Sequence, residues 1–123
     1  MKIEQQVTSL ELSKKLRELG VKQESLFYWV EGDMGGMSIS QLDVHGFTKD
    51  HVHCSAFTVA ELGEMLPAMT ESKYFSSDFG EHDGENWGCN AKEAGYKFIM
   101  AKTEADARAK MLIYLIEKKL VEE

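Results

Sequence analysis

Six consecutive apolar residues, Met111-Leu-Ile-Tyr-Leu-Ile116, lie inside a stretch, Thr103–Leu120, that reads as helix from end to end. Successive helical residues are about 100° apart, so six neighbours go all the way round the helix. Such a helix has to be packed on more than one side. Thr103 has the chemistry of an N-cap, and Asp106 sits three residues on, where a short acid can reach back to the free amides of the first turn. Glu104 precedes Arg108 by four residues and Asp106 precedes Lys110 by four, the favourable order for helical ion pairs. Lys118 and Lys119 suit the negative end of the dipole. A buried strand also presents a short apolar run, but alanines and strong helix formers flank this one. The run falls far short of the ~20 residues that span a bilayer. The stripe Ala105, Ala109, Leu112, Ile116 and Leu120 is expected to lie on a sheet, with Tyr114 across the helix from Leu112.

The remaining elements are read in the same way. Val7-Thr8-Ser-Leu-Glu11-Leu12 combines a capping box at Thr8 and Glu11 with a hydrophobic staple of Val7 and Leu12. Leu12, Leu16 and Leu19 form one stripe, and Gly20 can close the helix in a left-handed cap. This predicts a helix from about Ser9 to Leu19. Leu26–Val30 is aromatic and β-rich with apolar residues at both parities, as in a central strand. Glu31–Gly36 is a turn, and Met37–Val44 is the return strand, with a bulge expected where its alternation slips between Ile39 and Leu42. Val52–Cys54 is a short strand. Phe57–Leu62 repeats the earlier grammar, with a Thr58/Glu61 capping box and a Phe57/Leu62 staple, and Pro67 stops that helix near Leu66. Tyr74-Phe75 with Phe79, Asn86–Asn90 and Tyr96–Met100 supply two or three further strands.

The order is helix, two strands, helix, two or three strands, helix. This predicts an α+β fold: one domain spanning 1–123, an antiparallel sheet of four or five strands, and three helices. A chain of 123 residues that is 43% hydrophobic can bury one core. The N-terminus lacks the apolar region of a signal peptide, so a cytoplasmic location and free thiols at Cys54 and Cys89 are expected. A net charge of −7 disfavours nucleic-acid backbone and anionic membrane surfaces.

Four constellations bear on chemistry. His51-Val-His53 puts two imidazoles on one face if the segment is extended, with His45 and Cys54 nearby, and imidazole and thiolate suit zinc. No Cys-x-x-Cys or His-Glu-x-x-His spacing accompanies them, so no metal or other cofactor is expected. The acidic stretch Asp78–Glu85 does not fit a calcium loop, because aligning Gly84 to the turn position puts Phe79 first and Asn90 last. Cys54 stands beside His53, but neighbours on a strand point to opposite faces, so a nucleophile–base pair would need His45 or His82 from elsewhere. Trp87, set among Gly, Asn and acids, is expected to be partly exposed and is a candidate binding residue, as is Tyr114 on the long helix.

Three segments, Leu19–Trp29, Phe57–Pro67 and Ala101–Ile116, resemble a widespread set of small uncharacterised phage and prophage proteins. The resemblance covers helices, caps and core. It implies a mobile-element origin and no particular activity, and it assigns no catalytic residue. The function expected is therefore non-catalytic: binding a protein partner, or a second copy as a homodimer. The reading set against it is a small metal- or thiol-dependent enzyme built on His51, His53 and Cys54.

Overall fold

The computed structural model describes residues 2–32, 34–42, 48–75, 86–95 and 97–120. Along them run α1 (Ile3–Gln6), α2 (Leu10–Glu18), β1 (Phe27–Glu31), β2 (Met37–Ser40), β3 (Val52–Ala56), α3 (Val59–Met65), β4 (Glu71–Tyr74), β5 (Trp87–Asn90), β6 (Ile99–Ala101) and α4 (Glu104–Glu117). Short 3-10 turns occupy Lys49–His51 and Lys92–Ala94. The α+β class and antiparallel pairing match expectation. The sheet differs: the strands form two three-stranded sheets, ordered β2-β1-β3 and β4-β5-β6. There are also four α-helices rather than three, because Ile3–Gln6 forms one turn.

The N-terminal segment pairs with the chain where β3 ends. As β3 exits, Phe57 donates its N–H to Thr8 Oγ1 at 3.0 Å, and Thr8 returns its own N–H to the Phe57 carbonyl at 2.9 Å. Val7 and Thr58 form an isolated antiparallel bridge alongside. β4 starts the second sheet after the Pro67 turn, where the Thr70 N–H meets the Pro67 carbonyl at 3.1 Å.

This arrangement also moves the cap of α2. Thr8 is fully buried, its hydroxyl 2.6 Å from Ser13 Oγ, so it is not free to cap a helix. Ser9 is the N-cap instead, with its hydroxyl 3.5 Å from the Leu12 amide. Its own N–H is held at 2.8 Å by Oδ1 of Asp106, from α4. Asp106 therefore serves a second helix, while Thr103 caps α4 by accepting the Asp106 N–H at 3.1 Å. Gly20 closes α2 at φ 90°, with the Val21 N–H on the Leu16 carbonyl and the Gly20 N–H on Arg17. α4 ends in the same Schellman pattern, but the left-handed position is Lys119, at φ 59°.

The capping box on α3 is as expected. Thr58 accepts the Glu61 N–H at 3.2 Å, and Glu61 Oε1 takes the Thr58 N–H at 2.9 Å. Glu61 Oε2 also receives the Leu26 N–H at 3.0 Å, which ties the cap to the entry of β1. Thr58→Ala is expected to cost about 1 kcal/mol. A denaturation midpoint and m-value equal to those of the parent would remove Thr58 from that role.

α4 is the centre of the core. It packs against α1, α2 and α3 and against all three strands of the second sheet. Ala105, Ala107, Ala109, Met111, Leu112, Ile113, Leu115 and Ile116 are all buried. Leu120 leaves the expected stripe: α4 ends at Glu117, and Leu120 beyond it is 45% exposed. Alanines lead the helix because they let the backbone approach its neighbours, and the larger residues fill the wider end. The apolar run is thus covered from several sides within one chain.

The return strand is shorter than the expected Met37–Val44: β2 pairs with β1 without a break from Met37 to Ser40 and ends there, inside the Ile39–Leu42 stretch where a bulge was expected, while 43 and 44 lie outside the described residues. The bulge is in β3, where Trp29 faces Cys54 and Val30 faces Val52, leaving His53 as the extra residue. Its displaced carbonyl accepts Arg17 Nη1 from α2 at 2.6 Å.

Candidate functional site

The histidine–cysteine cluster was the sequence's main chemical candidate. His51 is not extended: it ends a 3-10 turn, and its Nδ1 lies 3.1 Å from the Thr48 amide, so it takes part in a local cap. His53 is the bulged residue of β3, so the two imidazoles do not follow the alternation that would place them on one strand face. His45 and His82 lie outside the described residues, as does the acidic stretch Asp78–Glu85 with Phe79 and Gly84. Among the described residues, no three His, Cys, Asp or Glu side chains come together to hold a metal.

Both cysteines are free and buried. Burial pushes the Cys54 thiol up, against the opposing pull of Arg17 and Lys14. Burial pushes Cys89 up to about 11, with Arg108 lowering it and Glu104 raising it. Thiols so placed stay protonated at neutral pH and are poor nucleophiles. Thiol reagents at pH 7 are therefore expected to leave the native protein almost unreacted and to count both cysteines once it is denatured. Rapid native labelling of Cys54 would contradict this.

The second sheet has two different faces. Toward α4 it presents Ser72, Cys89, Trp87, Ile99 and Ala101. Toward the other side, Phe75, Phe98 and Met100 close over Gly88. A Cβ at Gly88 would stand 2.8 Å from Met100 Sδ and 2.9 Å from ring carbons of Phe75 and Phe98. The missing side chain lets the two rings meet edge to face at 5.3 Å. Phe98 remains 40% exposed.

Trp87 is half-buried. It packs against the core, meets Tyr74 edge-on at 5.4 Å, and lines a cleft of about 330 Å³. Val59 and Ala60 of α3 continue the apolar wall, and Gln5 and Gln6 of α1 border it. Thr58 and Thr103, the two N-caps, mark where α3 and α4 begin on it, and both hydroxyls are engaged in capping. Lys102, exposed, and Glu104 supply the charged groups. Glu104 also accepts the Ser72 hydroxyl and pairs with Arg108 Nε at 3.5 Å, while Arg108 Nε donates to Ser72 Oγ at 3.2 Å. This cluster fixes the first turn of α4 against β4.

Of the sequence's two binding candidates, Trp87 therefore lines a cavity. Tyr114 does not line it: it is half-buried, packs against the core, and has Lys118 Nζ 5.9 Å from its ring centre. The cleft's other residues were not singled out from the sequence. Gln5 and Gln6 reach it through the unanticipated α1, and Lys102 and Glu104 through the start of α4. The legible signal was the pair of Thr caps, Thr58 and Thr103, which place the starts of α3 and α4 that line the cleft.

Among the described residues, no helix is long and apolar enough to cross a membrane. Compared with known proteins, the chain matches no family model, no curated protein and no solved structure.

Proposed function

We propose that the chain is a non-catalytic interaction protein of phage or prophage derivation, acting in the cytoplasm, whose contact with a protein partner is centred on the Trp87 cleft. The observation that carries this reading is the half-buried indole, which forms one wall of a cleft of about 330 Å³. A tryptophan with one side on the core and another on a concavity is a rigid anchor, and such residues dominate binding energy at interfaces. The wall is apolar at Trp87, Val59 and Ala60 and polar at its border, the mixture expected of a recognition site. The cleft is built at the starts of two helices, whose caps hold its shape before any partner arrives.

The test compares proteins retained by the immobilised full chain and by its Trp87→Ala and Tyr114→Glu variants, each verified as folded. One partner should be held by the parent and by Tyr114→Glu. Against Trp87→Ala its affinity should fall by about 2 kcal/mol or more, in the range of an interface hot spot. Equal retention by all three chains would overturn the assignment to this cleft. Loss at Tyr114→Glu alone, together with a concentration-dependent dimer by sedimentation, would move the contact to α4 and to a second copy.

A further inference from the structure

The cleft also carries information about what it accepts. Glu104 makes both of its contacts, to Ser72 and to Arg108, through the single oxygen Oε2. Among the described residues its other oxygen, Oε1, has no hydrogen bond, and 29% of the side chain is exposed. A carboxylate oxygen with no protein partner can accept a charge-assisted donor. The same cleft offers the indole of Trp87, the best aromatic face for a cation. A carboxylate oxygen and an indole wall complement a flat cation, which can stack on one and donate to the other. Guanidinium does both, whereas an ammonium is more strongly hydrated and cannot stack. The chain as a whole carries −7, which draws a basic partner toward it and repels an acidic one. Arg108 and Lys102 are the opposing charges: Arg108 is held at Oε2, which leaves Oε1 to a ligand, and Lys102 is exposed, so its ammonium remains in solvent.

We propose that the cleft takes the guanidinium of an arginine side chain on the protein partner, stacked on Trp87 and bonded to Glu104. This rests on the binding reading above and specifies the chemistry of its site. Gln5 and Gln6 border the cleft from α1.

The probe is N-acetyl-arginine methylamide, titrated into the full ¹⁵N-labelled chain and read at the two tryptophan indole N–H resonances. Trp29 is the internal control, because its Nε1–H is donated to the Thr8 carbonyl at 3.0 Å within the fold. The Trp87 resonance should shift saturably while that of Trp29 stays fixed. The citrulline analogue, neutral and of nearly the same shape, should bind about tenfold more weakly. Glu104→Gln should weaken arginine binding by about the same factor. Lys102→Glu, at an exposed position, should tighten it and so tests the idea without touching the Ser72–Glu104–Arg108 cluster. Added salt should weaken binding to the parent. Equal binding of the arginine and citrulline analogues, or no change with Lys102→Glu, would overturn the cationic assignment while leaving the cleft as a binding site. Tighter binding of the lysine analogue would overturn the choice of arginine. No shift at Trp87 with any analogue would overturn this inference, whereas the binding reading would fall only with equal partner retention by the parent and Trp87→Ala.

Discussion

Phe57→Ala is expected to lower the free energy of unfolding by about 3–5 kcal/mol, the range for removing a buried aromatic from a packed core. Phe57 is fully buried and lies between β3 and α3, at the point where the chain leaves one sheet and enters the helix that borders the cleft. Its backbone is held by Thr8 in both directions, so the main chain cannot easily move in to fill the cavity. A site that cannot collapse keeps the whole void, and the cost then lies at the upper end of the range. Chemical denaturation should show a lowered midpoint with an unchanged m-value. A loss below about 1 kcal/mol would mean that the junction relaxes, and that the Thr8–Phe57 pairing is not the rigid tie described here.

Leu112→Ala is expected to cost about 2–5 kcal/mol. Leu112 is 2% exposed at the middle of α4, the helix that touches three other helices and the second sheet. Both ends of α4 are fixed, by the Thr103 cap and by the Lys119 turn, so the helix cannot slide to heal the gap. A variant as stable as its parent would show that α4 does not organise the core.

Asp106 gives a pH-dependent counterpart. Burial holds its carboxyl above the usual range, opposed by the hydrogen bonds from Ser9 and by Lys110, while Glu11 adds to the rise. A carboxyl raised in the folded state binds its proton more tightly there than in the unfolded chain. Its contribution is therefore fully present below the ordinary carboxylate value of about 4 and is lost as pH rises through the folded value. Asp106→Asn retains an oxygen for the Ser9 N–H and has no charge to bury. Its stability should vary less with pH above about 4 than the parent's, and at pH 7 it should be at least as stable. An Asn variant with the parent's pH profile would remove Asp106 as the source.

The helices were legible in the sequence because their signals are local. Thr58 with Glu61, Thr103, Gly20 and the Met111–Ile116 run each predict an element that is present close to where it was placed. The errors arose where a distant segment competed for the same atoms. Thr8 looks like a cap beside Glu11, but its hydroxyl is taken by Phe57, 49 residues away. Asp106 looks like part of its own helix's start, yet it accepts from Ser9. The division of the strands into two sheets was not legible either, since which strands pair is set by contacts between distant segments. His53 was read as a strand residue with regular alternation, and a bulge held by Arg17 altered its register. The cleft was legible only at Trp87 and the two Thr caps, because its walls come from the starts of α3 and α4 and the end of α1, which only tertiary packing brings together.

The bond from Ser9 to Asp106 spans 97 positions. α4 leaves the ribosome after every other described element, yet it supplies the surface on which α2, α3 and the second sheet are assembled. At about 5–20 residues per second, roughly 5–20 s separate the synthesis of the two partners. During that interval α2 lacks both the acceptor at its first amide and the core beneath its stripe. The aromatic strand Trp87–Asn90 is meanwhile made without the helix it packs against. Folding of the α4-centred core is therefore set to occur late, and until then the growing chain is a substrate for whatever holds unfolded apolar segments in the cell.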